Sequence, residues 1–183
     1  MPRALQNPRV AAVVMAVLIV LSLFLGGGRS LRSLRGDVEE IFWNGEDGDG
    51  ICVASDLSKN RDDARNLLTV AREYDLPGDV LGALEDAVAA ADAAGRDMAA
   101  LHAAGTEISR AVTDVYEALG RLSLSERDES YRQDLYHSVM ARCDTMRRDA
   151  YNVQAQAFNE VLDGFPAGLL ASIASVAPAP LFR

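Results

Sequence analysis

The sequence predicts an all-α fold: an N-terminal transmembrane helix followed by an antiparallel bundle of about four long helices. Three observations predict it. The composition is rich in Ala and Leu with only 6% aromatic residues, which favours helix over sheet. The stretch Val10–Gly28 carries no charge, and Val10–Leu25 is apolar apart from Ser22. Beyond it, apolar residues recur at three- and four-residue steps in successive runs separated by Gly, Pro and Asp. A chain of 183 residues holds one domain with a sizeable core and an extra segment at one end. The division read from the sequence is a short N-terminal segment (1–9), a membrane anchor (10–28), a helical bundle (29–164) and an apolar C-terminal tail (165–183).

The anchor rests on length. A spanning helix needs roughly 20 residues at about 1.5 Å rise each, and Val10–Gly28 meets that need. Arg3 and Arg9 flank it on one side, and Arg29, Arg32 and Arg35 on the other. A cleaved signal peptide is the competing reading, with a small-residue site near Gly28, but the run is long for its hydrophobic core. A buried soluble helix fits less well, because the run is apolar on every face. Arginines are balanced across the two ends, so charge alone does not orient the anchor.

The bundle follows. Leu31, Leu34, Val38, Ile41 and Phe42 form the stripe of a helix leaving the membrane, with Trp43 near its end. Asn44–Gly50, with three glycines, breaks it. A second helix starts near Ser55 with Leu57, Ala64, Leu67, Leu68, Ala71 and Tyr74 on one face, and stops at Leu76-Pro77-Gly78. Asp79 is placed to cap a third, faced by Val80, Leu84, Ala87, Val88 and Ala91. Gly95-Arg96-Asp97 reads as a tight reversal before the run Met98–Leu119. The alternative is one continuous helix, since an internal Gly costs only about 1 kcal/mol. Ser125-Glu126-Arg127-Asp128 resembles a capping box with Asp in place of Glu, and opens the longest helix, to about Asp163. That rod would be roughly 55–60 Å long and needs partners along its length. The tail carries three prolines and an apolar run, so it is expected to dock.

The most informative segment ends the last helix. Tyr151-Asn152, Phe158-Asn159 and Phe165-Pro166 repeat an aromatic-plus-polar doublet every seven residues, two helical turns, which places the three aromatics on one face. An aromatic stripe at helical spacing is more often packing than a site, so these residues are expected to be the core seam, with Asn152 and Asn159 satisfying nearby polar groups. A peptide- or lipid-binding groove along that face is the functional alternative.

The pattern Arg148-x-x-Tyr151-Asn152, then Phe158-Asn159-x-x-Leu162-x-x-Phe165-Pro166, resembles the signature of bacterial LemA-family proteins. So does the ending, Phe165-Pro166-Ala167-Gly168-Leu169-Leu170 before a Pro-containing tail that closes on Phe182. Near the start, Leu34-Arg35-Gly36-Asp37-Val38-Glu39-Glu40 and Asp63-Ala64-Arg65-Asn66-Leu67-Leu68 are similar too. Two features depart from the family: Gly45–Gly50 interrupts a helix that is usually continuous, and Asn66-Leu67-Leu68-Thr69 replaces a polar-Leu-Ile-Pro-Asn run. The chain thus resembles a divergent member. The resemblance implies an N-terminal anchor, a helical bundle outside the cytoplasm and no established enzymatic activity.

Few residues point to chemistry. The net charge is −9, which repels nucleic-acid phosphates, and Lys59 is the only lysine. Asp47-Gly48-Asp49-Gly50 has carboxylates two apart, but the twelve-residue calcium loop with its closing Glu is missing, so a solvated turn is the better reading. Cys52 and Cys143 are the only cysteines and lack CxxC spacing. Counted along the expected bundle, both sit roughly 35 Å up, so a disulfide between them is one expectation for an oxidising compartment. His102 and His137 stand apart from any cluster. No catalytic, cofactor or metal residue is nominated. The function expected is a membrane-anchored interaction or scaffold protein of the cell envelope, in contact with lipid through the anchor and with another envelope protein. The alternatives are an accessory subunit of an envelope enzyme, and a peptide- or lipid-binding module using the last helix and tail.

Overall fold

The computed structural model describes residues 8–183, with side chains for 12–15, 17, 18, 22 and 26–183. All regular structure among these residues is helical: α1 Pro8–Asn44, α2 Val53–Ala71, α3 Gly78–Ala93, α4 Met98–Leu119, α5 Glu126–Arg147, α6 Ala150–Asp163 and α7 Ala167–Ala174. Among the described residues no helix is long and apolar enough to cross a membrane. The expected anchor, 10–28, includes residues whose side chains lie outside that description.

The described residues form seven helices, where an anchor helix and a bundle of about four were expected, because the bundle has two tiers. In the upper tier α2, α3, α4 and α5 pack around Leu67, Leu84, Ile108, Val112, Val115, Leu119 and Val139. In the lower tier the second half of α1, α6, α7 and the tail pack around Phe42, Tyr151, Phe158, Ala171 and Phe182. The first residues of α2 and α4, Val53 and Met98, reach into that lower core. The tiers meet at two joints in the chain.

The first joint is the loop after α1. Gly45, Gly48 and Gly50 adopt φ of 85, 68 and 77°, which L side chains rarely accept. At Gly45 a Cβ would also lie 2.6 Å from Asp49 Oδ1 and 2.7 Å from the Ile51 carbonyl oxygen. Asp49 is committed to the turn, accepting from the Ile51 N–H at 2.8 Å.

The second joint corrects the expected rod from Ser125 to Asp163, which breaks at Arg148–Asp149. Asp149 takes an extended backbone conformation and its carboxylate caps α6, accepting from the Tyr151 N–H at 2.8 Å. Asn152 reaches back and donates to the Met146 carbonyl at 2.6 Å and the Arg147 carbonyl at 3.2 Å. These bonds satisfy carbonyls that the end of α5 leaves open. The break is thus capped from both sides.

Other boundaries follow the sequence. Ser125 Oγ accepts from the Asp128 N–H at 3.1 Å, as the capping-box reading requires. Gly95 turns with φ 56°, and Asp97 caps α4 by accepting from the Ala99 and Ala100 N–H groups, so α3 and α4 are separate helices. Asp79 differs from expectation. Pro77 occupies the cap position without a side-chain bond, and Asp79 lies inside the first turn of α3, where a carboxylate still complements the helix dipole.

At the far end of the upper tier, Tyr74 ties the two helix connections together. Its hydroxyl donates to Asp128 Oδ2 at 2.6 Å and accepts from the Ser125 N–H at 3.2 Å. The bond from Tyr74 first, and one from the Ser125 hydroxyl to Asp128 Oδ2 at 2.8 Å second, hold the Asp128 carboxyl below the usual range. Midway along α2, Asn60 stands on the apolar face between Leu57 and Ala64 and is buried. It is satisfied by Arg142, whose guanidinium donates to Asn60 Oδ1 at 2.9 Å, to Asp63 Oδ2 at 2.8 Å and to Ser138 Oγ at 2.8 Å. This network pins α5 against α2 in one register.

Leu67 is fully buried at the centre of the upper core. Leu67→Ala is expected to destabilise the fold by about 2–5 kcal/mol, read as a lower denaturation midpoint at unchanged slope. A cost within the range of a surface substitution would contradict this core.

Candidate functional site

The one constellation that joins several sequence-predicted residues is the face of α6 that carries the tail. Tyr151, Ala155, Phe158 and Leu162 recur at four, three and four residues, and all are buried. The ring of Tyr151 meets Phe42 edge-on, 5.3 Å between centroids, and Phe182 at 6.0 Å. Phe182 also lies 4.8 Å from the His102 ring on α4. The last aromatic of the chain therefore plugs the junction of α1, α4 and α6.

The tail is held by its backbone. Asn159 makes a two-point bond with Ala179: its Nδ2 donates to the Ala179 carbonyl at 2.8 Å and its Oδ1 accepts from the Ala179 N–H at 2.8 Å. Asn152 Oδ1 accepts from the Phe182 N–H at 2.8 Å. Between them the Tyr151 hydroxyl donates to the Pro180 carbonyl at 2.8 Å. The spacing matches. Seven residues of α-helix rise about 10.5 Å, and three residues of extended or polyproline-like chain span about 9–10 Å. Pro178 and Pro180 lack N–H groups and restrict φ, so they reduce both the unmet donors and the entropy lost on docking. Asn152 and Asn159 satisfy neighbouring polar groups as expected. The sequence reading did not foresee that most of these groups belong to the tail. Asparagines one residue after each aromatic, on the flank of the apolar face, were the signal.

Phe165 is a correction. It is 90% exposed, not core. The heptad spacing applies only while the helix continues, and α6 ends at Asp163 with Gly164 extended. Phe165-Pro166, joined by a cis peptide bond, lies in the turn to α7, outside the register of Tyr151 and Phe158.

The cysteines are also placed differently from the height estimate. Both thiols are free. Cys52 caps the joint below α2 and its Sγ donates to the Trp43 carbonyl at 3.1 Å. Cys143 Sγ accepts from Asn60 Nδ2 at 3.6 Å. Asn60 stands eight residues beyond Cys52, about 12 Å along α2, more than a disulfide can bridge. The Gly45–Gly50 turn adds no helical rise, so Cys52 stands lower than a continuous helix would carry it. Burial pushes the Cys143 thiol up, so it remains protonated and unreactive at neutral pH.

Other candidate chemistry stays dispersed. His102 and Cys143 line one open cleft of about 270 Å³ with Thr106, Met146 and Phe182, and its lining includes no Asp or Glu side chain to orient the imidazole. Among the described residues no group of three or more His, Cys, Asp or Glu could hold a metal ion. No protein-family model, curated protein or solved structure matches this chain.

Two outcomes test the clamp. Asn159→Ala removes both bonds to Ala179 and is expected to cost about 1–3 kcal/mol, with amide exchange at Ala179 rising roughly 10- to 100-fold. Unchanged exchange there would show that the tail is held by packing alone. Burial also pushes the Tyr151 phenol above its ordinary value of 10.0, partly offset by Arg35. A raised folded-state pKa contributes stability that is fully present below the unfolded value and is lost as pH rises towards the folded one. Tyr151→Phe is therefore expected to lose less stability than wild type from about pH 10 upwards in matched denaturant titrations.

Proposed function

We propose that this chain is a membrane-anchored helical-bundle protein of the bacterial cell envelope, acting by binding another envelope protein rather than by catalysis. The observation that carries the reading is how its best-organised polar and aromatic groups are spent. Tyr151, Asn152 and Asn159 bind the protein's own tail and seat Phe182 in the core. The uncharged stretch Val10–Gly28 supports the anchor, as do the exposed apolar side chains of Val13, Met15, Val17 and Leu18. α1 has 37 residues, so an anchor would pass into the bundle without a hinge until Asn44. Resemblance to the LemA family supports both the anchor and an extracytoplasmic bundle.

The Gly45–Gly50 joint supports a partner contact. It presents Ile51, 73% exposed, at the level where both tiers meet. A peptide-binding reading has one observation in its favour: the asparagine clamp engages backbone rather than side chains, the way a groove recognises an extended peptide.

The full chain expressed in bacteria tests the main reading. Protease added to spheroplasts is expected to digest the bundle without lysis, and a photo-crosslinker replacing Ile51 to give a discrete adduct with one membrane or periplasmic protein. Protection until lysis would overturn the extracytoplasmic assignment. Stoichiometric turnover of any envelope substrate by the purified chain would overturn the non-enzymatic one.

A further inference from the structure

The base of the lower tier carries an apolar face that no other described residue covers. Leu169 and Ile173 are 52% and 60% exposed and lie four residues apart on one side of α7, with the exposed Phe165 just ahead of them. The adjacent side of α7 packs on α1. A Cβ at Gly27 would lie 2.6 Å from Leu170 Cδ1, and one at Gly28 would lie 3.3 Å from Ala174 Cβ. So α7 crosses α1 where the uncharged stretch ends.

Height follows from that crossing. Leu170 and Ala174 lie against Gly27 and Gly28, two and three residues beyond Leu25, so α7 stands roughly 3–5 Å above Leu25 along α1. The polar interface of a bilayer extends about 5–8 Å beyond the hydrocarbon, and α7 falls within it.

Charge divides at the same level. All 27 acidic residues lie between Asp37 and Asp163. The sequence segments on either side, 1–36 and 164–183, contain no Asp or Glu, and their charged side chains are all arginines. Arg32 Nη2 donates to the Ala174 carbonyl at 3.0 Å, so one guanidinium is fastened at the C-terminal end of α7. An apolar face rimmed by arginine and cleared of acids complements an anionic lipid surface, while the acidic upper tier is repelled from it.

We infer that α7 is a second membrane contact: Phe165, Leu169 and Ile173 insert into the headgroup–acyl boundary beside the anchor and fix how the bundle stands on the bilayer. This rests on the anchor reading. The occupant is lipid rather than a second copy of the chain, because the face is continuous with the apolar run of α1 and shares its basic rim.

The test uses the full chain in phosphatidylcholine–phosphatidylglycerol vesicles whose acyl chains are brominated near the carbonyl end. Trp43 is the only tryptophan, roughly 27 Å beyond Leu25 along α1, and serves in wild type as the remote reference. Phe165→Trp and Leu169→Trp, each combined with Trp43→Phe, place an indole on the exposed face, and Trp43→Phe alone, which trims a half-buried ring beside Phe42, is the folding control. The introduced indole is expected to be quenched about twofold or more while wild-type emission hardly changes. Flotation with an unquenched indole overturns the second contact and leaves the anchor standing. Emission that shifts to the blue with protein-to-lipid ratio but is not quenched assigns the face to a second copy, and overturns it equally. Failure to float with the vesicles overturns the anchor and the second contact together.

Discussion

A single side-chain amide, that of Asn152, joins the parts of this molecule that would otherwise be separable. Its nitrogen closes the end of α5 on the Met146 and Arg147 carbonyls, and its oxygen takes the N–H of Phe182. The upper tier, α6 and the tail therefore share one group. Backbone groups at a break in a helix must find partners or water, and here Asn152 supplies partners to the half-buried Met146 carbonyl and the exposed Arg147 carbonyl. Once Phe182 is tethered, its ring completes the aromatic junction with Phe42, Tyr151 and His102, which lies between the two tiers. The geometry of the joint and the docking of the tail are thus one constraint, repeated seven residues on by Asn159.

Much of the helical layout was legible because it is local. Glycines with positive φ, a Ser-x-x-Asp cap and a Pro-Gly stop act within a few residues, and the turns at Gly45–Gly50 and Gly95 and the cap at Ser125 lie where those signals are. The buried face of α6 was legible for the same reason: the period of Tyr151, Ala155, Phe158 and Leu162 is the period of a helix.

What was not legible depends on where a period ends and on who meets whom. Asp149 is an ordinary residue in a long polar helix until its backbone turns extended, and only then is it a cap. Extending the period across Gly164 wrongly carried Phe165 into the core. Counting height through the Gly45–Gly50 turn brought Cys52 level with Cys143, although Asn60 is the residue that faces Cys143. The asparagine clamp is a long-range pairing, Asn159 with Ala179 and Asn152 with Phe182, and its sequence trace is only two polar residues flanking an apolar stripe.

The two tiers differ in what they leave open, and this bears on how the proposed scaffold would work. The upper tier is a closed four-helix unit whose polar core residues find one another, as Arg142 does with Asn60 and Asp63. Its surface pairs, such as Arg65 with Asp62 and Arg72 with Glu85, are exposed and individually worth little, so they give solubility more than stability. The lower tier is built from segments that cannot close alone: half of a long helix, a short one and a proline-containing strand. It gains its order by being joined upward through Asn152 and, on the reading above, downward through α1 and α7. Each connection restrains the same few residues, so a displacement at the base would be carried to the Gly45–Gly50 joint through packed helix rather than through a flexible linker. A partner engaging Ile51 would then meet a surface whose height and orientation above the membrane are set from below.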